Sequence, residues 1–255
     1  MHRNMLAWLT AFVLFCVCAV FPAAGFTEED EFFEFDDDYD FGDEEEFMDD
    51  VEDQSEDDYK QQVQNISAAS GYDNPDLKYD GDYAYIVSDD GEYCITCLYQ
   101  GADPEAVIPD TLGGYPVRMI GDHTFENSGF LTKVTIPEGV SAIGKQAFFM
   151  CINLQSVTIP EGVISIGDQC FAACYLLEDV FIPDSLEFVG EMAFLGCYAL
   201  EEIEFGANLK EIGSCAFHTC KVLMYVTVPS RDVVIADTAF VQCPDTLEII
   251  YQSRS

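Results

Sequence analysis

The side chains with the most reactive chemistry in this sequence are its cysteines. There are 11 of them in 255 residues, and those at positions 151, 174, 197, 220 and 243 are spaced 23 residues apart. A column of cysteines at a repeated position is most simply a stack of small buried hydrophobic side chains. Disulfides between neighbouring repeats are the alternative in a secreted protein, and they require Cα atoms about 4.4–6.8 Å apart.

The remaining metal-binding and nucleophilic residues do not form a recognisable set. Cys94 and Cys97 make one C-x-x-C pair, but no second pair or nearby histidine completes a zinc site. A redox C-x-x-C normally opens a helix, which the strand-like surroundings do not suggest. His123 and His218 are 95 residues apart, and no Ser/His/Asp or Cys/His grouping can be built on them.

Paired carboxylates are the other arrangement that could do chemistry. Glu202 and Glu204 could form an acid–base dyad, but on a surface this rich in charge we expect them to be solvated. No phosphate-binding glycine loop and no His-Glu-x-x-His motif occurs. The sequence therefore predicts a protein that is not an enzyme and that needs no cofactor or metal.

The spaced cysteines belong to a repeat that covers much of the chain. Three further columns keep the same 23-residue phase, with leucine at 131, 154, 177, 200 and 223, isoleucine or valine at 120, 143, 166, 189, 212 and 235, and phenylalanine at 125, 148, 171, 194, 217 and 240. A fixed period of this length is typical of a solenoid, in which each coil buries its apolar face against its neighbours.

Each repeat contains the signals of a short strand followed by turns. Leu154, Val157 and Ile159 alternate with polar residues, which predicts a strand with one buried face. Pro160 has no N–H and should end the strand, and the recurring glycine at Gly167 indicates either a positive φ or close backbone approach. The Ala-Phe-x-x-Cys portion has helical spacing over a turn or two.

The pattern Leu-x-x-Val-x-Ile-Pro-x-x-Val-x-x-Ile-Gly-x-x-Ala-Phe-x-x-Cys resembles the BspA-type leucine-rich repeats, which are also found in a Treponema surface protein. The resemblance covers residues 105–251. It implies an α/β fold, a right-handed leucine-rich-repeat solenoid over 105–255 with a parallel β-sheet on the concave side and short helices or turns on the convex side. It also implies a secreted or surface protein with a role in adhesion or host interaction.

A different pattern precedes the repeats, at residues 78–104. Two strand-like runs, 83–88 and 92–99, flank Asp89-Asp90-Gly91, which predicts a β-hairpin. Because a solenoid needs its first apolar edge shielded, we expect this hairpin to serve as the N-terminal cap.

The charge of the chain is strongly negative. It has 48 acidic and 10 basic side chains, a net charge of −38, which argues against binding nucleic acid or an anionic membrane surface. Residues 26–77 are predicted to be a disordered acidic linker, with 20 carboxylates and no lysine or arginine between 27 and 58. This arm is either a solvated spacer or, through its interleaved aromatics, a segment that binds a basic partner or diffuse Ca²⁺.

The N-terminal sequence is typical of a targeting signal. An apolar run at 5–21 follows His2 and Arg3 and ends in small residues at 23–25, which predicts a cleaved signal peptide at 1–25. An uncleaved membrane anchor is the alternative, since 17 residues are near the lower limit for spanning a bilayer. Either way, we expect a secreted protein or one displayed on the cell surface.

The predicted strands also identify candidate binding residues on the concave face. Phe181, Tyr225 and Ile250 are apolar where the alternation calls for an outward polar residue, and aromatic residues often anchor interfaces. With their outward neighbours the candidates are Asp179, Phe181, Glu202, Glu204, Tyr225, Thr227 and Ile250. The sequence thus predicts a non-enzymatic module that recognises a protein or surface glycan. A structural or cation-collecting spacer, with the acidic arm as its active element, is the alternative.

Overall fold

The computed structural model of the protein describes residues 76–252. The signal peptide predicted at 1–25 and nearly all of the acidic segment predicted at 26–77 lie outside the described residues. None of the described residues belongs to a helix with the length and apolar character needed to cross a membrane.

The described chain is built from short strands joined by turns. In chain order these are β1 (Lys78–Asp80), β2 (Tyr83–Val87), β3 (Cys94–Tyr99), β4 (Glu105–Val107), β5 (Thr111–Leu112), β6 (Tyr115–Ile120), β7 (Lys133–Thr135), β8 (Ala142–Ile143), β9 (Ser156–Thr158), β10 (Ser165–Ile166), β11 (Asp179–Phe181), β12 (Phe188–Val189), β13 (Glu202–Glu204), β14 (Glu211–Ile212), β15 (Tyr225–Val228), β16 (Val234–Ile235) and β17 (Glu248–Tyr251).

Successive coils stack in register through parallel strands, as the 23-residue period predicts. The first strand of each coil lies in one of two parallel sheets, β4-β7-β9-β11 and β13-β15-β17. Val134 pairs with Val157, and Val157 with Val180, so residues 23 positions apart are direct neighbours across the ladder. We refer to the solvent-facing side of these two sheets as the concave ribbon.

A second strand in each coil, which the sequence pattern did not predict, forms another parallel ladder. Strands β8, β10, β12, β14 and β16 continue one sheet from the N-terminal strands. Each has only two residues, an outward one followed by an isoleucine or valine that is buried, such as Ile166, except for the half-buried Ile235 of β16. These residues were interpreted from the sequence as part of a turn, because a two-residue strand is too short to show an alternating pattern.

The core lies between the two strand faces and the returning turns. Phe125, Phe148, Phe171, Phe194, Phe217 and Phe240 stack in a continuous column, with ring centroids 4.9–5.4 Å apart. The leucine column from Leu131 to Leu223 is fully buried beside them. Each inner coil therefore buries its apolar residues against two neighbours. This burial stabilises the stacked coils, whereas an isolated coil would leave the same residues exposed to water.

The convex side consists of turns rather than helices. Within residues 76–252 the segments carrying Ala-Phe-x-x-Cys have no helical residue. Non-glycine residues with positive φ recur in them at the 23-residue period, for example Gln146 and Met150 in one coil and Gln169 and Ala173 in the next. A left-handed residue every few positions stops a right-handed helix from propagating. The backbone bonds between coils instead, as from Phe148 N to Cys170 O at 2.9 Å.

The recurring glycines are required for close approach between coils, and not for positive φ. Gly144, Gly167, Gly190 and Gly213 all have ordinary backbone angles. A Cβ placed on Gly167 would lie 2.6 Å from the backbone carbon of Gly144, closer than real Cβ contacts allow. A side chain at Gly144, Gly167, Gly190 or Gly213 would therefore push neighbouring coils apart, whereas the last coil has Ala236 at this position.

We expect Gly167→Ala to destabilise the protein by about 1–3 kcal/mol, because the new methyl group overpacks a contact between two backbones. Gly129→Ala is the matched control, since its Cβ would meet only the Ile152 side chain at 3.4 Å and its φ is not positive. Urea unfolding of both variants measures the difference. Equal stabilities would contradict the close coil spacing.

The N-terminal hairpin predicted from the sequence is present. Strands β2 and β3 pair antiparallel, and β3 then pairs parallel with β6, so the hairpin continues the second sheet. Tyr99 packs on Phe125, the first ring of the phenylalanine column, at a centroid distance of 4.9 Å. The hairpin is thus placed where a cap is needed, and its protective role stays a prediction.

Candidate functional site

The strands of the concave ribbon sort their side chains strictly by position. In β13 the central Ile203 is 2% exposed, whereas Glu202 and Glu204 on either side of it are exposed. The same alternation leaves Phe181 59% exposed and Tyr225 42% exposed. Strand pleating therefore holds these side chains outward on a backbone that is fixed by hydrogen bonds to its neighbours.

The ladder register arranges the candidate residues in two rows across the coils. Glu202 pairs with Tyr225, and Tyr225 with Glu248, in the first row, to which Asp179 belongs by its place at the start of β11. The second row holds Phe181, Glu204, Thr227 and Ile250 at the equivalent positions. All seven sequence-predicted residues lie on this ribbon, Thr227 being half-buried and the others exposed.

The rows do not place the apolar candidates side by side. Phe181 and Ile250 share a row but are separated in it by Glu204 and Thr227, and Tyr225 lies in the other row. β11 and β13 also belong to different sheets, so the ladder is interrupted between Phe181 and Glu204. The ribbon is therefore a mixed surface, with apolar side chains spaced among carboxylates.

The ribbon is acidic over the coils that carry the candidates. The strands β11, β13, β15 and β17 contain Asp179, Glu202, Glu204 and Glu248 and no lysine or arginine. The Gln252 amide donates a hydrogen bond to Glu204 Oε1 at 3.1 Å, which fixes that carboxylate's orientation. Such a surface attracts cationic groups and repels anionic ones.

The cysteine column is part of the core. The nine cysteines between residues 76 and 252 are free thiols. In the period-23 column each Sγ donates a hydrogen bond to the carbonyl of a phenylalanine in the preceding coil, as from Cys174 to Phe148 O at 3.2 Å. Burial raises the pKa of Cys151 and Cys197 well above the usual value. These thiols therefore pack as small hydrophobic groups, in agreement with the first interpretation of the sequence.

The histidines and the C-x-x-C pair lie at separate places. His123 Nδ1 is 2.8 Å from Glu126 Oε2, and this hydrogen bond raises the pKa of the histidine. Burial lowers the pKa of His218, whose Nδ1 has no hydrogen-bond partner. Cys94 and Cys97 are both buried, and burial raises the pKa of Cys97 to about 11. Among residues 76–252, no three His, Cys, Asp or Glu side chains form a group able to hold a metal.

A second surface feature lies on the sheet that the sequence did not predict. A groove of about 290 Å³ runs over strands β10, β12, β14 and β16, and Phe188 and Val234 line it at 40% and 63% exposure. The sequence contains one clue to this surface, which is the apolar residue that stands directly before some of the recurring isoleucines and valines. The clue does not predict the groove, because the sequence pattern does not identify that position as an outward-facing strand residue.

Stacked 23-residue coils with a ladder of leucines and a parallel strand in each coil define a leucine-rich-repeat solenoid. The model of the BspA type Leucine rich repeat region matches residues 118–246 in 6 copies, and the chain belongs to this family. No curated protein matches the sequence significantly.

Solved structures with the same fold agree with this membership. A Leucine Rich Repeat protein from T. pallidum is 25% identical with a TM-score of 0.58, over 68% of this chain and 85% of its own. A leucine-rich repeat protein from Bacteroides ovatus is also 25% identical with a TM-score of 0.58, over 69% of this chain. The match covers 53% of that protein, so the present chain spans about half its length.

Proposed function

We propose that this protein is a non-enzymatic recognition module that binds another protein through the concave ribbon and is displayed outside the cell. The observation that carries the proposal is the ribbon itself, where exposed Phe181, Tyr225 and Ile250 stand among carboxylates on hydrogen-bonded strands. Leucine-rich-repeat folds are suited to this role because their coils form extended curved surfaces.

The chemistry of the ribbon favours a protein partner with a basic patch. Asp179, Glu202, Glu204 and Glu248 provide long-range attraction and set the orientation of an approaching cationic surface. The exposed aromatic rings then supply contact area that becomes buried on binding. Because the side chains project from paired strands, little backbone freedom is lost when the partner binds.

The extracellular location is supported by the N-terminal sequence. The apolar run at 5–21 and the small residues that follow it match a signal peptide, and 26–77 would then separate the solenoid from the membrane or wall. The acidic arm could add a second, weaker attraction for the same basic partner.

Charge reversal on the ribbon tests the proposal. The full chain and its Glu202→Lys/Glu204→Lys variant are screened by surface plasmon resonance against a panel of extracellular proteins. We expect at least one saturable partner whose affinity falls about 10-fold or more in the variant, because two attractive contacts become repulsive.

The matched control is Glu138→Lys/Glu161→Lys, which makes the same change of net charge at exposed turn residues outside the ribbon strands. This control should retain most of the affinity. The absence of any saturable partner would support the alternative of a structural or cation-collecting spacer. Equal losses in both variants would mean that only net charge matters.

A further inference from the structure

The groove on the second sheet runs along the glycine column. The outward residue of the second strand is followed by a buried aliphatic residue and then by glycine, as in Phe188, Val189 and Gly190, except in the last coil, where Ala236 replaces the glycine. Gly190 and Gly213 line the groove between the residues that flank them. The residues before and after the glycines form its two walls.

The groove is lined by exposed apolar side chains and by carboxylates. Phe188 and Val234 lie in the outward column with Glu211 between them, because Phe188 pairs with Glu211 and Glu211 with Val234. Asp168 and Glu191 follow the glycines and line the opposite side. No ion pair within residues 76–252 involves Glu191 or Glu211. The groove thus combines an exposed ring with carboxylates at a spacing of one coil.

The exposed ring of Phe188 already has a cation beside it. Lys210 Nζ lies 5.6 Å from the ring centroid and makes an ion pair with Glu187. The contact shows that the ring of Phe188 accepts a cation. Glu191 and Glu211, which line the groove beside it, have no ion-pair partner among residues 76–252.

We propose that this groove binds an arginine side chain from an extended basic segment of a partner protein. The guanidinium would stack on Phe188 and donate to Glu191 and Glu211, while its aliphatic stem would lie against Val234. Arginine fits better than lysine because its planar group stacks on aromatic rings and donates to a carboxylate through two N–H groups. A volume of about 290 Å³ suits one side chain better than a larger ligand.

This site is separate from the concave ribbon and does not depend on the proposed function. Each coil gives its first strand to the ribbon sheets and its second strand to the sheet below the groove. Phe181 and Phe188 are close in sequence but project from β11 and β12, which lie in different sheets. A variant of either phenylalanine therefore perturbs one surface and leaves the other in place.

The experiment is an NMR titration of the ¹⁵N-labelled full chain with a short acetylated and amidated peptide of alternating glycine and arginine. We expect saturable shifts of the amides of Gly190, Glu191, Glu211 and Gly213. Phe188→Ala and Glu191→Gln should each weaken binding about 3- to 30-fold, because each removes one of the three contacts proposed for the guanidinium. Val241→Ala, at an exposed turn residue outside both the groove and the ribbon strands, should leave the affinity unchanged.

Two further peptides decide the chemistry. The citrulline version of the peptide has the same shape without the charge and should not bind, and the lysine version should bind more weakly. Equal binding of either peptide would overturn the assignment to arginine. Three outcomes would overturn the site itself. The chemical shift changes could be confined to the amides of β11, β13 and β15, or they could fail to saturate anywhere in the chain. Phe188→Ala could also bind the arginine peptide with full affinity.

Discussion

Removal of residues 177–199 should leave a folded but shorter solenoid, whereas removal of 177–187 should abolish folding. The first deletion takes out one whole 23-residue unit, so the coils on either side can stack with every buried column still aligned. The second removes 11 residues and shifts all following leucine, phenylalanine and cysteine positions out of phase with the coils before them. Circular dichroism and thermal melts measure both outcomes.

The comparison between the two deletions provides its own control, because the shorter deletion removes fewer apolar residues than the longer one. If loss of hydrophobic surface alone decided stability, the 177–187 deletion would be the milder change. Equal damage from both deletions would contradict stacking by repeated columns.

Phe171→Ala should destabilise the protein by about 3–5 kcal/mol, which is the usual cost of truncating a buried phenylalanine. Phe171 is 0% exposed and its ring stacks between Phe148 and Phe194 at centroid distances of 5.2 and 5.3 Å. The truncation would leave a cavity that interrupts the column on both sides. Urea unfolding gives the free energy directly.

Phe181→Ala is the matched control, since it makes the same truncation ten residues later at a side chain that is 59% exposed. Its cost should be well below that of Phe171→Ala, because little buried area is lost. If Phe181 proved the more costly of the two, the inward and outward faces of the first strands would be exchanged, and the residues of the concave ribbon would be wrong.

The repeat columns could be predicted from the sequence because each has a single physical cause. Leu154, Val157 and Phe171 recur in phase since every coil must fill the same space between its neighbours. The outward positions of the first strand then follow from the period-2 geometry of a strand, and Glu202 and Glu204 are exposed as expected.

The turns could not be predicted with the same success, because their conformation depends on contacts between coils. Gln169 and Ala173 have positive φ although neither residue type favours it locally. Their conformation is stabilised by bonds to the next coil, such as Ala173 N to Leu195 O at 2.7 Å. Phe188 was missed for a related reason, since its two-residue strand exists only through pairing with the coils beside it.

The most direct test of the proposed recognition surface is carboxylate footprinting of the full chain, free and bound to a partner found in the binding screen. A water-soluble carbodiimide with an amine reagent labels exposed carboxylates, and mass spectrometry measures the labelling of each peptide. We expect binding to protect Asp179, Glu202 and Glu204 on the ribbon while Glu138 and Glu161 on the turns stay fully labelled. Unchanged labelling of the three ribbon carboxylates in a saturated complex would contradict recognition through the concave ribbon.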